Sequence, residues 1–103
     1  MTILVNFSMF PTDKGLSVSE HVSKIIDMID KSGVPYKLNA MGTVFETKTM
    51  KEALEIIQKS YDILQPVSDR IYATASFDIK KHGKNRLEGK IESIERIIGS
   101  VNK

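Results

Sequence analysis

The sequence predicts an α+β sandwich: a four-stranded antiparallel sheet with two helices on one face and a further helix at the C-terminus. Three observations predict it. Stretches with an apolar residue at every second position take turns with stretches whose apolar residues recur three and four apart. Glycine and proline punctuate the joins. The second and third extended stretches meet at a single tight connection, Met41-Gly42, which makes them antiparallel neighbours.

In residues 2–10, Ile3, Val5, Phe7 and Met9 fall on one face and Leu4, Asn6, Ser8 and Phe10 on the other, a strand with one fully apolar side. Pro11-Thr12-Asp13-Lys14-Gly15 is turn chemistry. Ser17 with Glu20 forms a capping box that starts a helix, whose buried stripe is Val18, Val22, Ile25, Ile26 and Ile29. Gly33 ends that helix and Pro35 blocks its continuation. Tyr36–Ala40 and Thr43–Lys48 are the hairpin strands. Thr49 with Glu52 is a second capping box, opening a helix with the stripe Met50, Ala53, Leu54, Ile57, Tyr61 and Leu64. Residues 70–80 alternate cleanly, with Ile71, Ala73, Ala75, Phe77 and Ile79 opposite Tyr72, Thr74, Ser76, Asp78 and Lys80. A polar loop leads to the last helix, with the stripe Leu87, Ile91, Ile94 and Ile98, and Gly99 ends it.

The order β-α-β-β-α-β is that of a ferredoxin-like domain spanning residues 1–103. Right-handed crossovers put the first and third strands at the centre of the sheet. Two helices cover only one sheet face, so the C-terminal helix or a second subunit must cover the other.

The totals narrow the function classes. A net charge of +2 over 103 residues points to neither nucleic acid nor an anionic membrane as partner. The absence of cysteine removes disulfides, thiolate metal sites and cysteine nucleophiles, and fits a cytoplasmic protein. The N-terminus has no signal-peptide pattern, and no apolar run approaches bilayer length. Two separated histidines, His21 and His82, have no companions at metal spacing and read as surface residues. No phosphate-loop, dinucleotide or nucleophile-elbow motif is present, and no cofactor is expected.

Three groups of residues remain. Asn6, Ser8, Thr74, Ser76 and Asp78 share one face of two neighbouring strands, either as a ligand platform or as a solvated or subunit-facing surface. Glu46 lies in a central strand, where a carboxylate needs a partner or solvent. The segment Lys80-Lys81-His82-Gly83-Lys84-Asn85-Arg86 places cations against the N-terminal end of a helix dipole, where they do not serve helix stability. It reads as a solvated turn or as an anion site.

Taken in order, several motifs resemble one family. They are the opening strand ending at Ser8, Gly33-Val34-Pro35-Tyr36, Met41-Gly42-Thr43-Val44-Phe45-Glu46, Asp78, and Leu87-Glu88-Gly89-Lys90-Ile91-Glu92-Ser93-Ile94. The chain resembles, nearly end to end, the short thiamine-binding proteins. The resemblance implies a non-enzymatic protein that binds thiamine or its hydroxymethylpyrimidine part. It also implies a dimer with joined sheets and a pairing of dimers into a tetramer. Ser8, Thr43, Glu46 and Asp78 are then the ligand-facing polar groups, with Phe45 or Tyr36 available to stack on a cationic thiazolium. Thr47 stands where the family often has glycine, and its side chain is expected to narrow the site. Other functions on the same topology fit less well. An acylphosphatase-like enzyme needs an arginine in the loop after the first strand, and Pro11–Leu16 has none. An RNA-recognition domain needs aromatics on the sheet face where this chain has Thr74, Ser76 and Asp78. A purely structural oligomer stays open.

Overall fold

Strand β1 (Thr2–Pro11) runs through the middle of the chain's single sheet in the computed structural model, which describes residues 1–15 and 18–103. After it come α1 (Val18–Ser32), β2 (Tyr36–Asn39), β3 (Gly42–Thr47), α2 (Met50–Leu64), β4 (Ile71–Lys80) and α3 (Arg86–Ile98). The sheet order β2-β3-β1-β4, antiparallel throughout, is the ferredoxin-like arrangement, with the first and third strands central as right-handed crossovers require.

Register decides which residues share a face. Ile3, Val5 and Phe7 lie opposite Thr47, Phe45 and Thr43 on β3 and opposite Ile79, Phe77 and Ala75 on β4. The β1 and β3 residues of this set face α1 and α2, and Ile25, Ile29, Ala53, Ile56 and Leu64 close the core over them, whereas Ala75, Phe77 and Ile79 on the same face of β4 are exposed. Phe7 and Phe45 meet edge-on, ring centroids 6.0 Å apart, so Phe45 is wholly enclosed and offers no face to a ligand. Leu4, Asn6, Val44 and Glu46 occupy the opposite face, over one end of which α3 lies.

The capping box expected at Ser17 lies outside the described residues. The one at Thr49 is present: Thr49 Oγ1 accepts from the Glu52 amide at 3.1 Å and donates to the Glu52 carboxylate at 3.1 Å. The buried side of α2 differs from the expected stripe. Ala53, Ile56, Ser60 and Leu64 are buried, whereas Leu54 and Tyr61 are 51% and 45% exposed. Ala53 and Leu64 belong to both stripes and Met50 and Ile57 still pack against the core, so the helix is turned by less than one residue's roughly 100°. A serine can sit on the core side because its hydroxyl donates to Ile56 O at 2.7 Å, leaving no polar group unpaired. His21 is half-buried rather than on the surface. The last helix also departs from its expected stripe: Leu87 is buried, but Ile94 and Ile98 are exposed. Among the described residues no helix is long and apolar enough to cross a membrane.

Candidate functional site

Pairing between β1 and β3 stops at Phe7 and Thr43, while β1 continues alongside β4 as far as Pro11 and Ile71. One edge of β1 is therefore bare from Ser8 onward. The β2–β3 turn must pass close to it, and Gly42 makes that possible: a Cβ there would lie 2.9 Å from Phe7 O. Between this turn, the bare edge and the first turns of α1 lies a cleft of about 460 Å³. That volume falls within the range of small-molecule sites, about 300–1,000 Å³. Its walls are mainly apolar, from Phe10, Val18, Val22 and Ile26, and its hydroxyls come from Ser8, Thr43 and Thr74.

Thr43 reaches the cleft from the helix side of the sheet and Ser8 from the open side, since the bare edge joins the two faces there. Neither hydroxyl has a hydrogen-bond partner among the described residues. Both can donate and accept. Phe10 contributes a ring, held at 5.7 Å from Tyr72.

Glu46 and Asp78 are elsewhere. Both lie in register with Leu4, four residues along β1 from Ser8, about 13 Å at strand rise. Glu46 is buried beneath α3. Its two carboxylate oxygens accept the backbone amides of Arg86 and Leu87, each at 3.0 Å. These are the first residues of α3, so the carboxylate satisfies donors that have no partner within the helix and complements its dipole. The local N-cap residue does neither: Asn85 adopts a left-handed conformation (φ 54°) with no side-chain capping bond.

Arg86 locks the same junction. Its side chain is buried, with Nε donating to Thr2 Oγ1 at 2.6 Å and Nη2 to Thr2 O at 3.1 Å and to Asp78 O. Nη1 lies 3.0 Å from Asp78 Oδ1, and Lys90 Nζ reaches Asp78 Oδ2 at 2.9 Å. Lys90, followed by Arg86, holds the Asp78 carboxyl below the ordinary carboxylate range. Asp78 is thus engaged with cations from α3.

The structure therefore brings Ser8 and Thr43 together and sets Glu46 and Asp78 apart at the root of α3. Thr47 lies at the far end of β3 from the cleft, where its hydroxyl donates to Thr49 O at 2.8 Å and fixes the entry to α2. It does not narrow the cleft. Tyr36 donates its hydroxyl to Asp30 at 2.7 Å on the outer edge of the fold. Sequence reasoning missed Arg86 as a structural residue, because it reads as one more cation in a basic loop.

The sequence profile of the thiamine-binding protein family matches residues 5–95. A UPF0045 protein of Methanothermobacter thermautotrophicus is 30% identical over 83 residues, covering 80% of this chain and 84% of that one. Among solved structures, a hypothetical protein of Methanocaldococcus jannaschii superposes with a TM-score of 0.81 at 29% identity, over 93% of this chain and 98% of that one. A Thermotoga maritima protein provisionally assigned to thiamine biosynthesis or salvage superposes with a TM-score of 0.79 at 18% identity, over 91% of this chain and 99% of that one, a likeness of fold.

Proposed function

The chain belongs to the thiamine-binding protein family, and from that premise we propose that it is a non-catalytic binding protein for thiamine or its hydroxymethylpyrimidine part, held in the cleft at the bare edge of β1. One observation carries this reading. Ser8 and Thr43, from opposite faces of the sheet, turn hydroxyls that have no partner among the described residues onto one mainly apolar cleft of small-molecule size. An aminopyrimidine offers an amino donor beside ring-nitrogen acceptors, which hydroxyls and strand-edge backbone groups can pair with. Phe10 supplies the aromatic surface for a heterocycle or a thiazolium cation. On this reading Ser8 and Thr43 touch the ligand, while Glu46 and Asp78 serve the site by holding α3 in place.

Replacing both hydroxyls, Ser8→Ala with Thr43→Val, is expected to weaken thiamine binding about tenfold, the loss of two ordinary hydrogen bonds. Calorimetry with thiamine and hydroxymethylpyrimidine measures it. If the wild-type protein binds neither at millimolar concentration, the reading fails.

The same reading includes a homodimer joined through β4, with dimers pairing into a tetramer. β4 is ten residues long, contains no proline, and is an exposed sheet edge with Tyr72, Phe77 and Ile79 all open to solvent. Such an edge invites a second strand unless something covers it. Phe77→Lys places a charge on that strip and is expected to reduce the particle mass to the 11.6 kDa of a single chain. Light scattering coupled to size exclusion tests this, and a wild-type protein already at single-chain mass would refute the β4 dimer.

A further inference from the structure

We propose that the groove along the flank of α3 binds a small phosphate-bearing anion, at a site separate from the cleft. The groove has a volume of about 560 Å³ and gathers Lys80, Lys84, Arg86, Lys90 and Arg96 against the carboxylates of Asp78 and Glu92. Its formal excess of three positive charges exceeds the +2 of the whole chain. The basic character of this protein is therefore concentrated in one place.

That charge is only partly neutralised from within. Arg86 and Lys90 share Asp78, whereas Lys80, Lys84 and Arg96 have no carboxylate within ion-pair distance among the described residues. Arg96 instead donates to Ser93 Oγ at 3.1 Å. Lys84, Arg86 and Lys90 also stand at the N-terminal half of α3, where cations oppose the helix dipole. A bound anion would relieve both the mutual repulsion and that opposition. Side chains rather than helix amides would hold it, because the Arg86 and Leu87 amides are already given to Glu46. The Arg86 guanidinium is already committed to Thr2 and Asp78, so contacts to the anion fall to Lys80, Lys84 and Arg96.

Gly89 is the second, independent sign. Arg86, Gly89, Lys90, Ser93 and Arg96 follow one another at helical spacing along the groove, with the glycine near the middle of the stripe. Glycine inside a helix is less stable than alanine. A Cβ at Gly89 would meet no atom within 4 Å, so no packing within the chain requires its absence. What the glycine does is leave the groove floor open between the cations. The chain's modest net charge favours a small anion over a nucleic acid, which needs a long basic face. Lysine ammonium groups arrayed as point charges suit phosphate oxygens.

Inorganic diphosphate is the probe, titrated calorimetrically into the full-length protein. Saturable binding at one site per chain is expected, and Lys84→Gln with Arg96→Gln should weaken it at least about tenfold, as for the loss of a charge-assisted hydrogen bond. A control pair on α2, Lys51→Gln with Lys59→Gln, removes the same charge from the opposite side and should leave the affinity within about twofold. Gly89→Ala should raise Tm by about 4 °C while weakening diphosphate, a split that simple destabilisation cannot produce. Thiamine affinity should be unchanged in the Lys84/Arg96 variant. No saturable binding by the wild type, equal losses in the control pair, binding of heparin but not diphosphate, or a parallel loss of thiamine binding would each overturn the proposal.

Discussion

Arg86→Ala is expected to lower the folding free energy by about 3 kcal/mol, the largest effect of any single substitution considered for this chain. Arg86 is 8% exposed, and its guanidinium ties the start of β1, the end of β4 and the start of α3 into one junction. Truncation would leave Thr2 O, Thr2 Oγ1 and Asp78 O in a site shielded from water with their donor gone. Asp78 would keep Lys90, which limits the electrostatic part of the loss. Arg86→Lys should recover only a minority of it, because an ammonium cannot span acceptors on two strands from one planar fork. Urea unfolding of the two variants measures both quantities. A loss under about 1 kcal/mol for the alanine variant would mean that α3 is anchored by other means.

Glu46→Ala is expected to cost about 2–3 kcal/mol and to release α3 before the rest of the fold opens. Glu46 is 7% exposed, and its carboxylate is the acceptor for two helix-terminal amides, with no local cap to replace it. Glu46→Gln keeps one carbonyl acceptor and should lose about half as much. Amide hydrogen exchange locates the effect: residues 86–98 should lose protection while β1, β3 and α2 keep theirs. Uniform loss across the chain would show that the cap is not specific to α3. Thiamine affinity separates the two possible roles of this residue. A folded Glu46→Ala protein that binds thiamine like the wild type acts through α3, and one that loses binding with α3 still protected would return the carboxylate to the ligand.

Both substitutions concern a junction that no local pattern announced. Glu46 was recognisable as a carboxylate on a central strand in need of a partner, but that partner lies 40 and 41 residues away. Asn85, the residue before α3, has a left-handed backbone and makes no side-chain capping bond, so the cap comes from a distant strand. Arg86 was hidden among the lysines of its loop. Nothing in residue type or spacing marks which cation of a basic run turns inward.

The α2 helix shows the same division at a smaller scale. Its existence and start were legible from Thr49, Glu52 and the spacing of its apolar residues, and the capping bonds are there. Its buried face was legible only in part: Ala53 and Leu64 are buried and Met50 and Ile57 pack against the core, whereas Leu54 and Tyr61 turn outward. Apolar residues extend far enough around the helix for two adjacent stripes to compete, and the choice fell to the one with Ser60, whose hydroxyl is paired to its own helix.

By itself, the sequence determined the order of strands and helices, the antiparallel hairpin, the central position of β1 and β3, and the division of β1 into an apolar and a mixed face. Periodicity, turn residues and crossover handedness act over short stretches, and each leaves its mark in the chain. Only the tertiary structure decided that Ser8 and Thr43 share a cleft while Glu46 and Asp78 hold a helix. That separation depends on where β3 stops pairing with β1 and where α3 lands on the sheet. Both are set by contacts between segments far apart in sequence, whose favourable energies exist only once the sheet has formed.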